Sequence, residues 1–296
     1  EGGNDMSLYL QFLASGLSVG CIYGLVAIGF SVIFNASGIV NFAQGAFVML
    51  GGTLTYVLYE RAGLPIWFAI ILSIFLSALI GMLFEVTIIR PLWKRNTSLF
   101  IMMLATLALG VIAENAVLHT VGDETHSFPP FTAGPPLQAF GASIARQTVW
   151  MAVLSVLIMI LLNLLYKKTL LGKAMRACAV DRNVAPLLGI KVERMLTYSF
   201  GLSAALGAIA GILITPAQYT AYHIGLTFSV MGFIAAIIGG LGNPTGAFVG
   251  GIILGLLQSF AILFFDAGFK DVIAFSILLV FLLVKPSGLF SSYVEE

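Results

Sequence analysis

Apolar runs of about 20 residues recur along the chain, separated by short polar or glycine-bearing breaks, and this pattern predicts helices long enough to cross a bilayer. Nine runs are read as spans: 8–34, 42–58, 66–89, 97–120, 148–166, 196–218, 226–241, 246–265 and 271–285. Strands crossing a bilayer would alternate apolar and polar residues, and these runs do not. The expected fold is therefore all-α: a polytopic membrane protein with about 8–9 transmembrane helices.

Composition sharpens this reading. Of 296 residues, 59% are hydrophobic and only 9% charged, against about 25% charged in a soluble domain. The chain could not cover its own surface in water. A net charge of +1 gives no footing for nucleic acid. With the N-terminus outside, the segments 90–95 and 167–194 and Lys285 place eleven basic residues in the cytoplasm, leaving Arg61, Arg146 and Lys270 outside. Basic loops resist translocation, so this orientation, with a cytoplasmic C-terminus, is expected. Cys21 and Cys178 cannot make a disulfide framework. Residues 1–5 precede Met6 and are read as an appended remnant, leaving 6–296 as a single membrane domain.

Two breaks interrupt the spans. Asn35 to Gly45 reads NASGIVNFAQG, and Gly239 to Gly246 reads GGLGNPTG. Each is either a cytoplasmic turn or an interrupted helix at membrane depth, where irregular backbone survives only if protein or a wet cavity satisfies it. On the second reading, Asn35, Asn41, Gln44 and Asn243 are the candidate polar groups of a translocation pathway, since half-helix ends in transporters commonly point at substrate. The breaks also echo each other, NFAQGAFVMLGG against NPTGAFVGG. Glycines spaced by four (Gly16, Gly20, Gly24; Gly207, Gly211; Gly242, Gly246, Gly250) mark close helix packing, within one subunit or between two.

Acids within the spans are few. Glu85 lies five residues before Arg90, within reach of a basic neighbour or a headgroup. Glu114, counted from Leu99, is roughly 22 Å into a core of about 30 Å. A charge there costs at least ~2–3 kcal/mol. It either lines a cavity or hydrogen-bonds between helices.

Between two apolar helices lies the segment Lys167 to Arg194, which holds seven of the fourteen basic residues. Within it, Gly172 to Ala179 can form one short helix. A second can run from Asn183 to Gly189, with Pro186 in its first turn and Gly189 as its stop. Leu187 and Leu188 on one side would suit a cleft on a soluble partner. The plain alternative is a surface loop held near anionic lipid. The outer loop 121–147, with four prolines, is either a landing surface for an extracytoplasmic partner or a solvated connector.

Catalytic motifs fail on context. Gly16-Leu17-Ser18-Val19-Gly20 fits G-x-S-x-G but sits inside an apolar run rather than at a strand-to-helix turn. No H-E-x-x-H occurs, and Gly172-Lys173 lacks the upstream glycine of a phosphate-binding loop. The chain is expected to be no enzyme and to bind no cofactor.

The basic loop, taken with the breaks, resembles the permease subunits of bacterial ABC importers for branched-chain and other hydrophobic amino acids, most closely the shorter of the two permeases in such systems. The resemblance rests on GLVAIGFSVIF at 24–34, GIVNFAQGAF at 38–47, GKAMRACAVDRNVAPLLGI at 172–190, Ala210-Gly211 and IIGGLGNPTGAFVGG at 237–251. It implies that Gly172, Arg176, Ala177, Asp181, Ala185 and Gly189 belong to the element that couples to the ATPases; Pro186 departs from the freer helix former expected there. It further implies a second permease subunit, two cytoplasmic ATPases carrying ATP and Mg, an extracytoplasmic binding protein, and a bacterial inner-membrane location. Relatives that handle urea, amides or aromatic acids keep the solute open. A stand-alone channel or carrier is the competing class, and an intramembrane hydrolase acting through Ser18 is a third.

Overall fold

The computed structural model describes residues 2–139, 142–181, 184–263, 267–285 and 287–290. Glu1, Gly141, Arg182, Asn183, the end of the predicted span at 264–265 and the last six residues lie outside them.

Helices form on each apolar run, and two more, α4 and α7, form in the polar segments between runs: α1 (Gly2–Ser37), α2 (Gln44–Tyr56), α3 (Ile66–Phe84), α4 (Arg90–Lys94), α5 (Leu99–Thr120), α6 (Arg146–Lys168), α7 (Leu170–Val180), α8 (Val192–Gln218), α9 (Ile224–Gly239), α10 (Pro244–Ala261) and α11 (Lys270–Val284). A π-helical turn at Val57–Arg61 prolongs α2, and another at Glu85–Ile89 joins α3 to α4. Among the described residues six helices are long and apolar enough to cross a membrane alone: α1, α3 with its extension through α4, α5, α6, α8 and α10. The other three predicted spans appear as α2, α9 and α11, with 13, 16 and 15 residues.

α1 is the central post. Ile22, Leu25, Val26, Ile28, Phe30, Val32 and Ile33 are all fully buried, as expected of a helix that is apolar all round. It packs along α10 through its glycines: a Cβ on Gly20 would meet the Gly251 carbonyl at 2.9 Å, and one on Gly16 would meet Ser259 Cβ at 2.7 Å. Gly207 and Gly211 of α8 take Phe47 and Val48 of α2 in the same manner. These small-residue faces are therefore seams within the chain. α3, α5 and α6 instead keep most of their apolar surface open, with Ile71, Phe75, Phe100, Ile112, Val153 and Leu161 about half exposed or more. Lipid or another apolar protein surface must cover that face.

The outer loop is folded down on α8. His126 and Thr220 pair through their backbones, Ser127 Oγ donates to the Thr215 carbonyl at 3.2 Å, and Gln147 Nε2 donates to the Leu213 carbonyl at 2.8 Å. A small antiparallel hairpin, β1 (Leu137–Ala139) with β2 (Ala142–Ile144), adds the one departure from an all-helical description among the described residues.

Candidate coupling element and pathway residues

The two breaks take different forms. After Ser37 the chain turns back into the helical body before α2 begins. Phe42 N–H donates to Thr106 Oγ1 at 3.0 Å, and Thr106 is seven residues along α5, roughly 10 Å from its start. Gln44 bonds Ser203, eleven residues along α8, roughly 16 Å in. Backbone groups at that depth need partners, and side chains supply them. Ser37 Oγ accepts from Ile39 N–H, Asn41 Oδ1 from Ala43 N–H, and Ser229 Oγ accepts from Gly45 N–H while donating to the Phe42 carbonyl. α2 therefore starts inside the body, which shortens it relative to the predicted span.

The second break is a capped turn. Asn243 Oδ1 accepts from Gly246 N–H at 3.0 Å, its Nδ2 donates to the Phe290 carbonyl at 2.9 Å, and Pro244 occupies the first turn of α10, where a missing N–H is harmless. The C-terminal segment seals it, with Leu289 and Phe290 N–H groups donating to the carbonyls of Ile238 and Gly239. The sequence echo thus covers two unlike structures. Asn35 ties them together, its Nδ2 donating to the Gly242 carbonyl at 2.7 Å.

The candidate pathway residues consequently fall into three places. Asn35 and Asn243 share a cleft where the C-terminal ends of α1, α6 and α7 meet the N-terminal end of α10. Asn41 and Gln44 are buried at the re-entrant segment. Gln44 Nε2 donates to the Ser203 carbonyl at 3.1 Å and its Oε1 accepts from Ser203 Oγ at 2.5 Å, while Asn41 Nδ2 is buried with no partner among the described residues. Beside them Phe30, Phe42 and Phe233 form a ring cluster with centroids 5.3–6.3 Å apart. Glu114 stands apart: its Oε1 accepts from Leu226 N–H at 3.1 Å, so a carboxylate on α5 holds a free donor in the first turn of α9. That is the interhelical hydrogen bond, one of its two predicted roles. Sequence reasoning missed Thr106, Ser203 and Ser229, the hydroxyls that make the break possible. Their sole signal is a polar residue inside an apolar run, which many packed helices share.

The basic loop is built as a short amphipathic helix and a tight turn. Thr169 Oγ1 caps α7 by accepting from Gly172 N–H at 3.0 Å. Gly172, Met175 and Cys178 form the buried stripe of α7. Gly172 lets it lie against the end of α6: a Cβ there would come within 2.3 Å of the Leu165 carbonyl and 2.5 Å of Tyr166 Cα. Arg176 is on the exposed side, and Ala177 receives the Asp181 N–H that closes the helix. Asp181 then starts the next turn, its Oδ1 accepting from Val184 N–H and its carbonyl from Ala185 N–H. The predicted second helix appears among the described residues as a 3-10 turn, Ala185–Leu188, with Pro186 in its first turn, while its predicted start at Asn183 lies outside them. Gly189 ends it at φ +77°, a left-handed conformation that glycine takes without cost. Buried Ala185 fastens the turn to Cys178 and Val192, with Trp93 packed alongside.

What this leaves outward is apolar. Leu170 is 84% exposed, Val180 89%, Leu187 82% and Leu188 73%. They stand among Lys173, Arg176 and Lys191, and a groove of about 670 Å³ opens between the turn and Trp93. Behind the groove, a charged cluster ties the start of α8 to the end of α3. Glu85 is fully buried and receives Arg90 Nε at 3.1 Å, Arg90 Nη2 at 2.7 Å and Thr197 Oγ1 at 2.9 Å. Glu193 pairs with Lys94 at 3.0 Å. Arg90 is the basic neighbour that Glu85 was expected to reach. Ser18, by contrast, lies within α1 and donates to the Ser15 carbonyl at 2.9 Å, the bond of an ordinary helix serine.

Comparison with known proteins agrees with this architecture. The chain is 29% identical to the high-affinity branched-chain amino acid transport system permease protein LivH of Escherichia coli K12, and 32% identical to BraD, of the same description, from Pseudomonas aeruginosa; each alignment covers 95% of both chains. The probable branched-chain amino acid permease LivH of Methanocaldococcus jannaschii is 30% identical over 97% of this chain and 92% of its own. Among solved structures, PsaBC from Streptococcus pneumoniae, in complex with Fab, superposes with a TM-score of 0.51 over 93% of this chain and 92% of that one, at 15% identity, a likeness of fold alone. The family model described as "Branched-chain amino acid transport system / permease component" matches residues 12–283, and the chain belongs to that family of multi-pass membrane permeases.

Proposed function

We propose that this chain is a non-catalytic permease subunit of a bacterial inner-membrane ABC importer for branched-chain amino acids, with residues 6–296 as its single membrane domain. It pairs with a second permease, receives solute from an extracytoplasmic binding protein, and is driven by two cytoplasmic ATPases that carry the ATP and Mg. The observation that carries the reading is the underside of the 167–194 loop. Four large apolar side chains on α7 and the 3-10 turn are 73–89% exposed, on a polar face where water would otherwise meet them. Exposed apolar residues rimmed by charge mark a protein or membrane contact, and the family's permeases supply the reason to read it as a protein one.

Gly172, Arg176, Ala177, Asp181, Ala185 and Gly189 then form the coupling element, each through a distinct part: close approach, exposed charge, helix closure, turn start, anchor and stop. Movement of this element reaches the spans by two routes, the Gly172 contact with α6 and the Glu85–Arg90–Thr197 cluster that joins α3 to α8. Inside the spans, Asn41 and Gln44 hold the re-entrant start of α2, and Asn35 and Asn243 hold the inner turns.

The interface reading is tested with the double substitution Leu187→Asp, Leu188→Asp. Neither side chain contributes to the core, so the variant permease should still insert. Co-purification of the ATPases is expected to fall at least ~10-fold, the loss of about 1.4 kcal/mol or more of contact energy. Full recovery of the ATPases would remove this face as their contact. For the pathway, Gln44→Ala deletes two buried hydrogen bonds to Ser203, at a cost of about 1–3 kcal/mol. Uptake is expected to slow while the subunits still assemble, and an unchanged uptake rate in both Gln44→Ala and Asn41→Ala would strike these residues from the pathway.

A further inference from the structure

We propose that the cleft at the inner ends of α1, α6, α7 and α10 binds the phosphate headgroup of an anionic phospholipid. The cleft measures about 570 Å³, and its polar lining joins two cations, Lys167 and Arg176, to Tyr166, Asn163, Asn35, Asn243 and Thr245, with no acid. Lys167 and Arg176 make no ion pair among the described residues; the acids that do pair with basic side chains, Glu85 and Glu193, serve the α3–α8 cluster instead. The Tyr166 hydroxyl is a second, independent sign. Tyr166 is only 7% exposed, its hydroxyl has no hydrogen-bond partner among the described residues, and it lines this cleft. A buried hydroxyl without a partner is costly, and a phosphate oxygen in the cleft would satisfy it.

The shape fits an amphiphile rather than a free ion. Behind the cations the wall is apolar, made by Ile28, Met159 and Leu162. The adjacent face of α6 carries Leu157, Ile160, Leu161 and Leu164, all exposed. A headgroup seated between Lys167 and Arg176 can therefore leave its acyl chains along α6 in the inner leaflet. Basic pockets between helices on the cytoplasmic side take anionic headgroups on general electrostatic grounds. Placing the cleft at that leaflet rests on the orientation given by the charge bias. A lipid held here would bridge α7 to α6 and α10 and would share Arg176 and Val180 with the proposed coupling face, whose assignment does not depend on it.

The test uses the full chain, delipidated in detergent and titrated with phosphatidylglycerol or phosphatidylcholine while bound lipid is followed by native mass spectrometry. One tightly held phosphatidylglycerol per chain is expected, with phosphatidylcholine bound about tenfold more weakly. Lys167→Gln combined with Tyr166→Phe should lower the phosphatidylglycerol affinity by about tenfold. Size-exclusion profile and circular dichroism check that the variant is folded; if it is not, Tyr166→Phe alone, which removes one oxygen, should still weaken binding measurably. Equal binding of the two lipids, or wild-type affinity in every folded variant, would overturn the proposal. Displacement of bound lipid by millimolar inorganic phosphate would overturn the lipid assignment in favour of a free anion.

Discussion

Replacing Arg90 with methionine is expected to destabilise the permease by about 3–5 kcal/mol, the range seen when one partner of a buried ion pair is removed. Glu85 has no exposed surface, and Arg90 supplies two of the three side-chain donors to its carboxylate. With methionine at 90 only the Thr197 hydroxyl remains, against a group whose charge is expensive to bury. Arg90 itself is about one-quarter exposed, so Glu85→Gln, which leaves the cation near water, should cost distinctly less. The thermal unfolding midpoints of the two purified variants check the order. Equal midpoints would mean that the pair does not hold α3 to α8.

The second large effect is expected at Gly172. A methyl group there would overlap the Leu165 carbonyl and Tyr166 Cα, both backbone atoms that cannot swing aside. In Gly172→Ala, α7 must move off the end of α6, and the loop can no longer pass a displacement to that helix. Transport and solute-stimulated ATP turnover should fall at least ~10-fold together, about 1.4 kcal/mol of lost coupling or more, while the binding protein keeps its affinity for solute. Loss of transport with full stimulation would instead place the defect inside the spans. Gly189→Ala should behave more mildly, since nothing lies within 4 Å of the added carbon and only the positive φ resists it.

Much of this architecture is legible in the residues. Each of the nine apolar runs falls on a helix among the described residues, six of them long and apolar enough to cross a membrane alone, and the sites of the two breaks follow from Asn, Gly and Pro clusters. The depth of those breaks does not follow. Residues 38–43 re-enter the body because Thr106 and Ser229 happen to stand opposite them, a tertiary fact invisible in a local window. The same holds for α2, which is short because it begins inside the body; α9 begins beside the Glu114 carboxylate with its first turn still partly exposed. In the loop, Gly189 is readable as a stop and Leu187 and Leu188 as an outward pair. The tight 3-10 form of that turn, Ala185–Leu188, is not readable from local residues. Gly172 is singled out by the family resemblance, and its physical reason, the approach of α7 to α6, needs the fold.

ATP dependence of transport in sealed proteoliposomes tests the central claim most directly. The chain reconstituted with the proposed sister permease and ATPases, with loaded binding protein on the far side, should accumulate branched-chain amino acid only when ATP reaches the ATPases. The chain reconstituted alone should pass none. Rapid uptake by the lone chain without nucleotide would contradict the account.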